Sequence, residues 1–230
     1  MKKNGVMLVG LCGRSGAGKG YIGKMFAELG IPSIDTDAVY RQMTSPVSCR
    51  GELSPCMLEL VERFGERVLA PDLSLDRVVM RGIVFGEGSD EARGDLNRIT
   101  HRYILAETER LAHQLYEDGS PIVLIDAPVL FESGFDRLCE CVVCVSAPEE
   151  TLVRRICRRD GLSEEDARLR LSGQRSHEEL EGRADFVIMN DDERPILYER
   201  VGRCAAGLRA IYEKNYVIGD DDGVLSGECG

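Results

Sequence analysis

The chain has 230 residues, 43% of them hydrophobic and 30% charged, which suits one compact domain with insertions. No apolar run nears the roughly 20 residues that cross a bilayer, and the start, Met1 to Val6, leads into a strand-like stretch with no small-residue cleavage site, so a soluble cytoplasmic protein is expected. A net charge of −11 excludes broad nucleic-acid binding, which needs a dense basic surface, so any phosphate recognition must be local.

Val6 to Cys12 is an apolar run closing on glycine, the pattern of a buried parallel strand that feeds a tight turn. Lys19 to Leu29 carries Ile22, Phe26 and Leu29 at helical spacing, with Gly30 as its stop. Ile31 to Ile34 forms a second short strand ending in Asp35, and Asp37 to Met43 reads as helix. From Ser45 to Phe85 the alternation of strand and helix lapses. Helical stretches including Glu59 to Phe64 and Asp76 to Phe85 predict an inserted helical subdomain there. A longer helix follows Ser89, with Asp90 and Glu91 in its first turn and Leu96, Ile99 and Tyr103 on one face.

Pro121 to Asp126, Glu140 to Ser146 and Ala184 to Met189 bring the strands to five. Between the last two, Pro148 to Gln174 reads as two helices broken at Asp160-Gly161, with Ser163 and Asp166 spaced as a capping box. Arg194 to Lys214 is the last helix, with Leu197, Val201, Cys204, Leu208 and Ile211 on one stripe, and an acidic, glycine-rich tail follows. Buried strands alternating with helices imply an α/β fold of three layers around a five-stranded parallel sheet, with ligands bound beyond the carboxyl ends of the strands.

The chemistry-bearing motif is Gly13-Arg14-Ser15-Gly16-Ala17-Gly18-Lys19-Gly20, which matches G-x-x-x-x-G-K-[ST] except at its last position and lies between a strand and a helix. Its glycines let backbone N–H groups converge on phosphate oxygens, the helix N-terminus adds partial positive charge, and Lys19 reaches the β- and γ-phosphates. Gly13, Ser15, Gly16, Ala17, Gly18, Lys19, Gly20 and Tyr21 are therefore the candidates to hold ATP. Gly20 replaces the hydroxyl that usually ligates Mg²⁺. Adenylate kinases are similar here, since they also read G-K-G. Mg²⁺ keeps several waters and can rest on substrate phosphates plus carboxylates, for which Asp126 and Asp35 are the candidates.

A kinase acting on an alcohol needs a group that orients the hydroxyl and accepts its proton, and Asp35 at the end of the second strand is the candidate. Its competing role is to cap the following helix, a role open to Asp37 as well. Seven arginines between Arg154 and Arg175 outnumber four acids, in a chain that is acidic overall. Such a basic hairpin suits a lid that offsets charge on transferring phosphates and excludes water. Arg155 and Arg159 share one helical face and are its catalytic candidates. Of the nine cysteines, Cys139, Cys141 and Cys144 form the tightest group. Strand alternation places Cys139 and Cys141 on one side and Cys144 on the other, so buried free thiols are expected rather than a metal site.

Taken together these residues resemble the dephospho-CoA kinase family from Val6 to about Asn190. The resemblance rests on Gly10-Leu11-Cys12-Gly13, Ile34-Asp35-Thr36-Asp37 with Arg41, Phe64-Gly65, Leu75-Asp76-Arg77 with Arg81 and Phe85, and Ile99-Thr100-His101. It extends through Pro128-Val129-Leu130-Phe131-Glu132, Arg155, Arg159-Asp160-Gly161-Leu162-Ser163, Gln174, and Ala184 to Ile188 with Asn190. It departs at Cys12, where Thr is usual, at Gly20-Tyr21 for Ser-Thr, at Arg102 for Pro, and at Leu180 for Lys.

The resemblance implies transfer of the γ-phosphoryl group from ATP to the ribose 3′-hydroxyl of dephospho-CoA, giving CoA and ADP. It implies substrate contacts from Asp35, Asp37, Arg41, Arg81, Phe85, His101, Pro128 and Glu132. The implied layout is a single kinase domain: a core of residues 1–35, 99–147 and 184–216, a helical CoA subdomain at 36–98, a lid at 148–183 and a disordered tail at 217–230. A monomer binding only these small molecules is expected. Two alternatives stay open: a nucleoside or nucleoside-monophosphate kinase of the same fold, and a nucleotide-binding regulator that has lost catalysis.

Overall fold

The computed structural model describes residues 5–46, 52–86, 88–191 and 193–217. It divides into two compact units, Asp35–Leu111 and the remainder of the chain.

The larger unit is built on the expected strands: β1 (Met7–Cys12), β2 (Ser33–Asp35, whose last residue opens the other unit), β3 (Ile122–Asp126), β4 (Cys141–Ser146) and β5 (Phe186–Met189). Their order is β2-β3-β1-β4-β5. β1 is central and runs parallel to β3, with Leu11 opposite Asp126, and to β4, with Cys12 opposite Cys144. Every residue of β1 and β4 is buried, which is why both read as unbroken apolar runs. On one face Met7, Val9 and Leu11 of β1 join Ile22, Met25 and Phe26 of α1 (Lys19–Glu28) and Leu197, Val201 and Leu208 of α9 (Arg194–Tyr212) in a single core.

The other face carries Gly10, Cys12, Val142 and Cys144. Cys139 belongs there too, contrary to the expectation from alternation. The strand begins at Cys141, so its pleat does not extend to Cys139, and the Cys139 Sγ lies 3.4 Å from where a Cβ on Gly10 would stand.

The smaller unit holds α2 (Thr36–Met43), α3 (Pro55–Phe64), α4 (Arg77–Val84) and most of the 28-residue α5 (Asp90–Glu117). Its own core gathers Met57, Leu60, Val68, Met80 and Ile99. α3 starts four residues earlier than the apolar spacing suggests. Ser54 caps it by accepting from the Met57 N–H at 3.1 Å, and Pro55 takes the first helical position, where its missing N–H costs nothing.

In the segment expected to form a lid, α6 (Glu149–Asp160) and α7 (Glu164–Ser172) break at Gly161 as expected, and Leu152, Ile156 and Leu171 join the main core. The Ser163 hydroxyl accepts from the Asp166 N–H at 3.1 Å and donates to the Asp166 carboxylate at 2.6 Å. A short α8 (His177–Glu181), absent from the periodicity, follows under a Ser176 cap. Of the tail expected at 217–230, residues 218–230 lie outside the described residues. No helix among the described residues is long and apolar enough to cross a membrane.

Candidate active site

The phosphate loop leaves the carboxyl end of β1 and enters α1 at Lys19, and two of its glycines are dictated by their neighbours. Gly13 has φ +147°, and a Cβ there would sit 2.4 Å from the Val145 carbonyl oxygen of β4. Gly18 has φ +91°, and a Cβ there would sit 2.4 Å from Nδ2 of Asn190, just past β5. Gly20 differs: it lies in α1 and nothing stands within 4 Å of where its Cβ would be, so packing does not forbid a hydroxyl at this position.

The loop's carbonyls are held from behind. Arg155 on α6 donates from Nη1 to the Gly16 and Ala17 carbonyls at 3.3 and 3.4 Å and from Nη2 to the Asn190 carbonyl at 2.9 Å. Burial, with Arg154 alongside, lowers the Arg155 pKa from its ordinary value. Asn190 is itself buried and donates its amide to the Ala17 carbonyl at 2.6 Å. Lys19 folds over the loop, its Nζ donating to the Gly13 carbonyl at 3.1 Å.

Arg159, one turn along α6, reaches the Ser15 hydroxyl at 3.3 Å and grips Asp160 through two 2.8 Å hydrogen bonds. With Arg170 adding to this pairing, the Asp160 carboxyl is held down to about 2. Two further ties join the end of α7 to the loop. Buried Arg14, an unspecified position in the motif, donates to the Leu171 carbonyl at 2.7 Å. The Gln174 side-chain oxygen accepts from the Ser15 N–H at 2.9 Å.

Beside the loop lies a cavity of about 320 Å³ lined by Cys12, Gly13 and Arg14, by Pro128 to Glu132, and by Gly173, Gln174, Arg175 and Leu180. Pro128 and Glu132 are thereby brought to the start of the loop, and Glu132 is paired with Arg175. Asp126, half-buried, ends β3. Among the described residues no three His, Cys, Asp or Glu side chains are grouped to hold a metal ion.

The remaining candidates belong to the smaller unit. Asp35, not Asp37, caps α2: its Oδ1 accepts from the Asp37 and Ala38 N–H groups at 2.9 and 3.1 Å, and its Oδ2 lies 3.5 Å from an Nη of Arg41. On α4, Arg81 is exposed, and so is Phe85 just beyond it, with Val78 on the same side. His101 is half-buried in α5, and burial pushes its pKa down.

A cluster that sequence reasoning missed sits at the end of β4. The buried Ser146 hydroxyl donates to Glu181 at 2.6 Å and lies 3.1 Å from Nδ1 of His177, pinning α8 to the sheet. Only a Ser and a His-x-x-x-Glu spacing mark it in the sequence, and nothing in that pattern says they meet.

The dephospho-CoA kinase family profile matches residues 7–195. The dephospho-CoA kinase of Syntrophotalea carbinolica is 36% identical over 81% of this chain and 84% of its own length. That of Streptomyces avermitilis is 36% identical over 88% of this chain and 94% of its own. Among solved structures, a Thermus thermophilus protein aligns with a TM-score of 0.71 at 25% identity, covering 88% of this chain and 97% of the other. The dephospho-CoA kinase from Campylobacter jejuni shares the fold with a TM-score of 0.61 at 24% identity, covering 90% and 98%. With a profile match that spans its sheet, its phosphate loop and the arginine-bearing helices α6 and α7, the chain belongs to the dephospho-CoA kinase family.

Proposed function

We propose that this chain transfers the γ-phosphoryl group of ATP to the ribose 3′-hydroxyl of dephospho-CoA, giving CoA and ADP, as a monomer in the cytoplasm. The observation that carries the reading is the phosphate loop itself, whose carbonyls are tied back by Arg155 and Asn190. That arrangement keeps the loop's carbonyls from facing an anion at the start of α1, where the helix N-terminus adds partial positive charge.

Lys19 exchanges its contact with the Gly13 carbonyl for phosphate oxygens, and Arg159 swings its charge from Ser15 toward the transferring group. Arg155 acts mainly through the loop it holds. Asp35 receives the acceptor's proton on Oδ2, because Oδ1 is committed to two backbone amides. Arg81 and Phe85 offer a cation and an aromatic face to the acceptor, while Asp37, Arg41, His101, Pro128 and Glu132 complete its contacts. Asp126 would hold Mg²⁺, which supplies charge neutralisation at the phosphates when bound. The donor set fits, because Mg²⁺ accepts one carboxylate alongside waters and phosphate oxygens.

The test is ADP release with Mg-ATP against dephospho-CoA, adenosine, AMP and CMP. Turnover with dephospho-CoA is expected, and turnover confined to AMP or CMP, or none at all, would overturn the assignment. Asp35→Asn should lower turnover at least about 100-fold with ATP binding retained. Near-normal turnover in that variant would remove Asp35 from the chemistry.

A further inference from the structure

Cys12 is the residue directly before Gly13 of the phosphate loop, and in the parallel pairing of β1 with β4 it stands opposite Cys144. Partners in such a ladder send their side chains to the same face, on strands about 4.8 Å apart. That separation lies within the roughly 4.4–6.8 Å between Cα atoms that a disulfide spans. Both thiols are unbridged and nearly fully buried, at 3% and 2% exposure. Cys12 nevertheless lines the cavity beside the loop, so a small solute entering that cavity comes up against this residue.

We propose that Cys12 and Cys144 form a peroxide-reactive dithiol at the root of the phosphate loop, and that its closure to a disulfide switches off phosphoryl transfer. The local chemistry assigns the two roles. The Cys144 S–H hydrogen bond is the largest influence lowering the Cys12 pKa, and Lys19 and Arg183 add to it against the opposing effect of burial. The Cys144 pKa is raised by the same bond and by burial. Cys12 is thus the nucleophile and Cys144 the resolving thiol.

The Cys12 thiolate attacks one oxygen of hydrogen peroxide and the O–O bond breaks. Hydroxide leaves and takes a proton from solvent to become water, and Cys12 is left as a sulfenic acid. The Cys144 sulfur then attacks the Cys12 sulfur, the S–O bond breaks, and the second oxygen departs as water with the Cys144 proton. Two thiols lose two electrons and the peroxide gains them. The new bond draws the sulfurs to about 2.0 Å, shifting the end of β1, where the Val145 carbonyl leaves no room for a Cβ on Gly13.

The alternative is that the two thiols merely pack, as buried cysteines usually do. To separate these, the intact chain is treated with hydrogen peroxide, alkylated, digested with trypsin and examined by mass spectrometry. The expected product joins the Asn4–Arg14 peptide to the Leu138–Arg154 peptide and is lighter by two hydrogen atoms. It should persist in Cys139→Ala and Cys141→Ala and vanish in Cys144→Ala.

In parallel, kinase turnover should fall at least about tenfold, since displacements near 1 Å cost about that or more, and should return with dithiothreitol. The thermal shift given by Mg-ATP should fall with it. The turnover readout rests on the kinase reading, whereas the cross-link and the thermal shift do not, so failure of one is distinguishable from failure of the other. Absence of the cross-link, its survival in Cys144→Ala, or a bridged protein with unchanged nucleotide shift and turnover would each overturn the proposal.

Discussion

Gly13→Ala puts the geometry of the phosphate loop to a quantitative test. The new methyl would stand 2.4 Å from the Val145 carbonyl oxygen, and real Cβ atoms essentially never come within 3.0 Å of such a group. Relief therefore needs a movement of at least about 0.6 Å, the shortfall from that 3.0 Å limit. Val145 cannot readily supply it, because β4 is paired on both sides, to β1 and β5. Overpacking of this kind costs about 1–3 kcal/mol, and holding a non-glycine residue at φ +147° adds about 1–3 kcal/mol. For a chain of this length about 2–4 °C of melting temperature goes with each kcal/mol, so melting should fall by roughly 4 °C at the low end and about 24 °C at the high end. Whatever fold survives carries a displaced cradle, and turnover should drop at least about tenfold. Differential scanning fluorimetry and the ADP-release assay read the two effects. Gly20→Ala is the matched control: the site is open and helical, so that variant should melt at or slightly above the wild-type temperature. Wild-type melting and turnover in Gly13→Ala would refute the close approach of loop and strand.

Ser146→Ala leaves the Glu181 carboxylate and the His177 Nδ1 without the hydroxyl they share, at about 1–3 kcal/mol, and thermal melting should fall by roughly 2–12 °C; an unchanged midpoint would mean that the cluster does not anchor α8. Asp160 titrates below its ordinary value because Arg159, then Arg170, favours the ionised form. Its folded pKa is depressed, so the stabilisation it lends is present above the unfolded value near 3.8 and is lost as pH falls toward about 2. Carboxyl NMR should place the Asp160 midpoint near 2 in the wild type and move it upward in Arg159→Ala, and a wild-type midpoint near 3.8 would contradict the pairing. Gly20→Ser offers Mg²⁺ an oxygen at an unobstructed position, so the Mg²⁺ concentration for half-maximal turnover should fall several-fold; no change would show that the metal does not approach this end of the loop.

Much of this was legible before any coordinates, for identifiable reasons. A parallel strand buried on both faces leaves an apolar run, and β1, β3 and β4 were read from such runs nearly to the residue. The phosphate loop was legible because a positive φ or a close backbone approach leaves glycine as a visible mark. What was not legible depended on contacts distant in sequence. Arg14 occupies a motif position that admits any residue, and only the placement of α7 gives it the Leu171 carbonyl. Ser146 and Glu181 are 35 positions apart and meet because a five-residue helix follows the lid. Cys139 was assigned to the wrong face because alternation was extended past the first paired residue of β4.

The cap seen at Asp35 leaves room for the role in proton transfer proposed above, once its two oxygens are considered separately. Capping engages Oδ1 alone, through two amides at the start of α2, and this fixes the carboxylate plane. Oδ2 takes no part in the cap and lies 3.5 Å from an Nη of Arg41, on the last turn of the same helix. A general base must be held still as well as be basic, and for the proposed role the cap would supply that restraint through Oδ1 alone. Position 20 follows the opposite logic. There neither packing nor backbone conformation requires glycine, so folding does not account for the missing hydroxyl, and under the proposed function Mg²⁺ would rest on Asp126 or Asp35, on water and on the nucleotide.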